Sequence, residues 1–324
     1  MAPGASGVTK LGAVAKIVCK SPRQINCLEP PAMITLKAPW NERNGRFSPL
    51  KAAVFAALFA PAIWIVFQAS AGWLAPKPVT EMIHRSGDWA LRLLLLSLLV
   101  TPLRKIAQWP KLIAIRRMVG VAAFAYAFAH LCLYVVDQHY QLLHVASEIA
   151  LRFYLTIGFV ALLGLGALTA TSTDAMIRRL GAARWNQFHK LVYVLCVLAI
   201  FHFYLQSKED VSEAVMMTGF FLELMIYRAL AKFRAPLWAA ISGAAVLGVG
   251  LTALLEAAWY AIRRNIDFWE VLSANIDPDS FPTPAALALG AGAIVLLVYA
   301  GRAAQARWFS GGAAPAPRPA GRRA

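Results

Sequence analysis

Eight stretches of the chain are continuously apolar, at about 52–72, 88–103, 118–136, 153–171, 189–206, 214–231, 236–262 and 285–304. Polar residues collect between them. The runs do not alternate apolar with polar positions, so they read as helices and not as barrel strands. Most approach the twenty or so apolar residues that cross the hydrocarbon core of a bilayer. The second is short and contains Arg92, and the seventh is long enough to tilt. The pattern predicts an all-α membrane protein with eight spans.

Composition agrees. Of 324 residues 59% are hydrophobic and 15% charged, where a soluble domain has about a quarter charged. The net charge of +16 would suggest nucleic-acid binding in a soluble protein. Here the basic residues sit in short clusters between apolar runs, which is a signature of membrane orientation. Most of the 32 Lys and Arg fall in residues 1–51, in the loops after spans two, four and six, and after the last span. The opposite loops hold only Lys77, Arg85, Arg152, Lys208, Arg263 and Arg264. This asymmetry predicts a multi-pass membrane protein of eight spans with both termini on the cytoplasmic side. Residues 1–48 and 309–324 read as disordered tails. The first of these reads alternatively as a regulatory tail, and Met33 as an alternative start; it does not look like a cleavable signal. Cys19, Cys27, Cys132 and Cys196 form no C-x-x-C pair, and no disulfide framework or zinc site is expected.

Ionisable side chains are costly inside a bilayer, so each is a candidate for function. His130, His189 and His202 lie in or at the edge of spans, His84 just before the second, and His139 and His144 in the loop after the third. His130 sits late in span three and His202 late in span five. The two spans run the same way, so the two side chains share one depth near the outer face. One histidine from each of two such helices can ligate a haem iron from both sides, leaving the other ring nitrogen to bond a carbonyl. The competing reading is a pair of core histidines bonded to neighbouring helices. His189 precedes His202 by 13 residues, about 20 Å and a rotation of about 220° along an ideal helix. Its counterparts in span three would be Arg116 and Arg117, so a second haem site is half-built. His189 reads equally as a ligand or as an interfacial group binding water or a propionate. Arg92 reads equally as a propionate partner or as a snorkelling side chain. Glu223 and Glu256 read as proton relays or as partners of other helices. Glycines in the run 158–166 are expected to let helices approach closely.

Several motifs stand out: His84-Arg-Ser-Gly-Asp-Trp-Ala-Leu-Arg92 followed by Thr101-Pro-Leu-Arg104; Arg116-Arg117-x-x-Gly120 leading to Ala129-His130-Leu131; Thr171-Ser-Thr-Asp-Ala-Met-Ile-Arg-Arg-Leu-Gly181; and Trp185-x-x-x-His189-x-x-x-Tyr193 with His202. In order and spacing they resemble the MsrQ family of the ferric-reductase-like transmembrane superfamily. The resemblance covers residues 50–232. It implies a six-helix haem-binding transmembrane core over 49–232; residues 233–308, which the apolar runs give two further C-terminal transmembrane helices, lie beyond it. It implies haem b on His130 and His202, with His189 also implicated, and a cofactor neighbourhood that includes Arg92 and His84. It implies electrons from the quinone pool, FMN as a further cofactor, and delivery to a periplasmic molybdopterin methionine-sulfoxide reductase subunit (MsrP-like). The docking surface would lie among the loops 72–87, 137–152 and 207–213. The family often has Arg-Pro-Tyr where this chain reads Arg152-Phe-Tyr. The rival classes are a stand-alone ferric or flavin reductase and a non-redox transporter or structural membrane protein.

Overall fold

The computed structural model describes residues 40–41, 45–207, 210–275 and 277–310. Cys19, Cys27 and nearly all of the two predicted tails lie outside the described residues. The chain is an all-α membrane protein. Its helices are α1 (Pro49–Ala57), α2 (Ala60–Ser70), α3 (Pro78–Ile106), α4 (Ile113–Asp137), α5 (Leu142–Leu151), α6 (Phe153–Ala170), α7 (Asp174–Leu180), α8 (Ala182–His189), α9 (Leu191–Gln206), α10 (Ser212–Lys232), α11 (Leu237–Arg264), α12 (Phe268–Ala274) and α13 (Pro284–Ser310). The described residues include no strand beyond a single antiparallel bridge, Asn41 with Phe47.

Seven of these segments are long and apolar enough to cross a membrane: α1–α2 together, α4, α6, α8–α9, α10, α11 and α13. Their apolar side chains point outward in number, with Ile63, Val160, Leu163, Val246 and Leu297 all exposed. Contiguous exposed apolar surface of this kind is stable only against lipid. The expected second span differs. It is the latter part of α3, a helix of 29 residues or about 43 Å, whose first half carries Glu81, Arg85, Asp88 and Arg92. α3 tolerates these charges because it runs through the middle of the bundle. Leu94 and Leu98 are almost fully buried there. It lies antiparallel to α4, with Ile83 beside His130 and Val100 clustered with Leu112 and Ile115. α3 therefore traverses the bundle in addition to the seven.

Two side chains repair the helices where the ladder is broken. Pro102 has no N–H, so the carbonyl of Leu98 loses its helical donor. Arg228 of α10 donates to that oxygen at 2.6 Å and to its own Leu224 carbonyl at 3.0 Å. Replacing Arg228 with methionine is expected to cost about 1.5–3 kcal/mol, the range for a hydrogen bond involving a charged group. In a Pro102→Ala background the cost should shrink, because an alanine at that position supplies its own N–H. Thermal unfolding of the two single variants and the double variant measures that coupling, and a coupling of zero would sink the explanation. In the first span, the Tyr126 hydroxyl accepts from Ala62 N–H at 2.9 Å and donates to the Leu58 carbonyl at 2.8 Å. It thus sits inside what would be the Ala62-to-Leu58 helical bond, at the break between α1 and α2. Tyr126→Phe should let those two groups pair directly and straighten the span. Stability should change by less than about 1 kcal/mol. The distance between spin labels at exposed Phe59 and Trp73 reads the straightening.

The last helices pack on α10 and on each other through small residues. Gly219 faces Thr252, Gly248 faces Glu223, and Gly292 faces Ala245. Close approach through glycine is how helices associate where lipid offers no hydrophobic drive. Glu256 accepts from Asn275 at 3.0 Å, which is the helix-partner reading of that residue. Glu223 keeps Oε1 buried with no hydrogen-bond partner.

Candidate functional site

His130 on α4 and His202 on α9 come together at one end of the bundle. Their ring centroids are 6.4 Å apart and their planes nearly perpendicular. Each ring uses Nδ1 on a backbone carbonyl: His130 on Ile83 of α3 and His202 on Tyr154 of α6, both at 2.8 Å. A carbonyl only accepts, so each Nδ1 carries the proton and each Nε2 keeps its lone pair. Two neutral imidazoles with oriented Nδ1–H could hold a metal through Nε2, with the supporting hydrogen bonds already made. A metal held between two imidazoles sets the centroids about 6 Å apart, given metal–nitrogen bonds of about 2.0–2.1 Å and half a ring on either side. The observed separation meets that requirement.

Two glycines make room for these rings. A Cβ on Gly87 of α3 would lie 3.1 Å from His130 Nδ1. One on Gly158 of α6 would lie 2.8 Å from both Cε1 and Nδ1 of His202. The short residue at 158 therefore admits an imidazole, a closer demand than helix approach alone; Gly164, on the same helix, faces Leu195 of α9. The Ile83 and Tyr154 carbonyls and the two glycines escape reading by residue type. Gly158 belongs to the run read as helix-approach glycines, and Gly87 stands within the first motif, but neither signals a ring by its letter.

The other expected site residues lie apart. His189 closes α8, and Lys190 separates it from α9, so the 13 residues to His202 are not one straight helix. Its ring stacks on Trp185 at 3.8 Å. Nδ1 faces the Trp185 carbonyl at 3.1 Å and Nε2 faces the Ser172 hydroxyl at 3.3 Å. Nearby Arg117 binds Asp174 at 2.5 Å and the Ser172 carbonyl at 3.3 Å. Arg92 forms an ion pair with Glu213 at the start of α10 and lies over the Trp89 ring. His84 is exposed, one turn before Gly87. No group of three or more His, Cys, Asp and Glu able to hold a bare metal ion occurs among the described residues. A two-histidine pair is a donor set that could hold the iron of a haem.

A groove of about 570 Å³ runs between α1–α2 and α4. Lys51, Arg117 and Ser172 stand at one end, and Tyr126 and Ala129, the neighbour of His130, at the other. Most of its wall is apolar, and its size lies within the usual range for small-molecule sites.

A helical membrane bundle that brings one histidine pair together has the donor set that a membrane redox protein of the haem-binding class needs. The family described as ferric reductase like transmembrane component matches residues 86–200, a stretch that contains Gly87, His130, Gly158 and His189. Curated relatives bear the name protein-methionine-sulfoxide reductase heme-binding subunit MsrQ. The relative from Caulobacter vibrioides is 36% identical over 176 residues, 54% of this chain and 84% of its own. That from Rhodospirillum rubrum is 38% identical over 183 residues, 56% and 88%. That from Xanthomonas campestris pv. campestris is 40% identical over 185 residues, 55% and 84%. The chain belongs to the MsrQ family. No solved structure matches it.

Proposed function

We propose that this chain binds b-type haem between His130 and His202 and serves as the electron-transfer subunit of a methionine-sulfoxide reductase system. The observation that carries the proposal is the histidine pair itself: 6.4 Å between rings, with both Nδ1 atoms already bonded to carbonyls. The chain's residues do three things. His130 and His202 present Nε2 lone pairs from opposite sides. Ile83 and Tyr154 fix the tautomers and ring orientations. Gly87 and Gly158 leave space for the rings. Bound there, haem iron would supply one-electron carriage.

In the same proposal, electrons come from quinol dissolved in the membrane and leave to a periplasmic catalytic subunit of the MsrP type. The apolar groove beside α4, which ends next to His130, is open to a donor of that kind. The end of the bundle holding His130 and His202 is then the periplasmic end, which agrees with the scarcity of Lys and Arg in its loops. His189 belongs to the proposal as the candidate ligand of a second haem. FMN, though implied by the resemblance, is left out of it.

The test is a reduced-minus-oxidised absorption spectrum with a pyridine haemochrome assay on purified chain expressed with ample haem. A b-type signal near one or more haem per chain is expected. Its absence would overturn the proposal in favour of a non-redox membrane protein. Reduction of ferric chelates at full rate without any catalytic subunit would instead favour a stand-alone reductase.

A further inference from the structure

At the end of the bundle opposite His130, the C-terminal turns of α3 and α10 enclose a pocket of about 270 Å³. Thr101, Lys105, Tyr227, Arg228 and Lys232 line it, and no acidic side chain does. No ion pair is found for Lys105, Arg228 or Lys232 among the described residues. Arg228 spends its donors on carbonyls, which leave its charge in place. The two helix ends offset part of this charge, since each contributes about half a negative unit. Three cations against two helix ends leave an excess of about two positive charges.

A second observation is independent of charge. The Thr101 hydroxyl is buried and has no hydrogen-bond partner. A threonine within a helix commonly bonds the carbonyl one turn back. Thr101 does not, and it borders the pocket. Buried hydroxyls without partners are uncommon and point to a group that belongs there.

We propose that this pocket binds a phosphate group, with Lys105 and Lys232 supplying charge and the Thr101 hydroxyl donating a hydrogen bond. The phosphate can come from the headgroup of an anionic phospholipid or from a soluble phosphate ester. The site does not depend on haem or on the histidine pair.

The experiment uses the full chain in detergent, stripped of lipid. It measures binding of phosphatidylglycerol, phosphatidylcholine and inorganic phosphate by native mass spectrometry and thermal shift. Phosphatidylglycerol is expected to bind about tenfold more tightly than phosphatidylcholine. Lys105→Gln with Lys232→Gln should weaken it about thirtyfold, from about fivefold per lysine near an anionic headgroup. Thr101→Val should weaken it severalfold without changing net charge. Arg178→Gln with Arg179→Gln removes the same charge from exposed α7 and should leave it unchanged. If inorganic phosphate competes with phosphatidylglycerol at millimolar concentration, a soluble ester is the source. If it does not, the lipid is. Equal weakening by the α7 pair would reduce the effect to general surface charge and overturn the proposal. Unchanged binding in the Lys105/Lys232 variant would do the same.

Discussion

His202→Ala is expected to lower haem per chain by tenfold or more, and His130→Ala to do likewise. Each ring would supply one of the two Nε2 atoms proposed to hold the iron, and the ring centroids lie 6.4 Å apart, so removing either ring would leave a single histidine ligand. The substitution also orphans a carbonyl contact, Tyr154 in one case and Ile83 in the other. Those carbonyls lie within helices, so the bundle should still assemble. Size-exclusion profiles and thermal unfolding check this. His84→Ala should keep its haem. If His189→Ala loses about half the haem while the His130–His202 signal persists, a second site exists at that end of the bundle. If His130→Ala and His202→Ala both retain full haem, the pair is not the site.

The second large effect falls on a residue that touches nothing by its own side chain. Gly158→Ala places a methyl group 2.8 Å from two atoms of His202, well inside ordinary contact. The ring must shift, and it can do so only by weakening its bond to Tyr154. Disturbing the groups that orient a metal-bound histidine commonly costs about 10–100-fold in affinity, and a loss of that order is expected here. Gly87→Ala, with its nearest ring atom at 3.1 Å, should cost less. Gly120→Ala and Gly250→Ala meet nothing within 4 Å and should be neutral or stabilise by up to about 1 kcal/mol through helix propensity. Haem titration across the four variants gives the order. A Gly158→Ala result no different from Gly250→Ala would remove the glycine from the site.

The helical class and the meeting of His130 with His202 were legible in the sequence. Long apolar runs fix helices in a membrane, and two histidines late in spans of the same direction must share a depth. What was not legible depends on rotation and on partners far along the chain. The carbonyls that hold the two rings lie 47 and 48 residues away from them, and a carbonyl has no letter in the sequence. The Tyr126 hydroxyl inserts into a helix 64 residues upstream, and its letter alone reads as an aromatic core residue. Arg92 reads equally as a propionate partner or a snorkelling side chain, and its ion pair with Glu213, 121 residues away at the start of α10, follows from packing that no local pattern reveals. The second span looked short because its first half is charged; only its place in the bundle interior explains why those charges are tolerated.

The support given to the two rings by main-chain oxygens bears on how this site can change over generations. Where a carboxylate holds a ligating histidine, one codon change can retune or abolish the contact. Here no single replacement at Ile83 or Tyr154 removes the acceptor, because every residue brings the same oxygen. The electronic character of the two imidazoles is therefore buffered against mutational drift at those two positions. Variation that retunes the site must instead move α3 or α6 as a body, or fill the space at 87 and 158. Selection on this family should be felt most sharply where side chains are smallest.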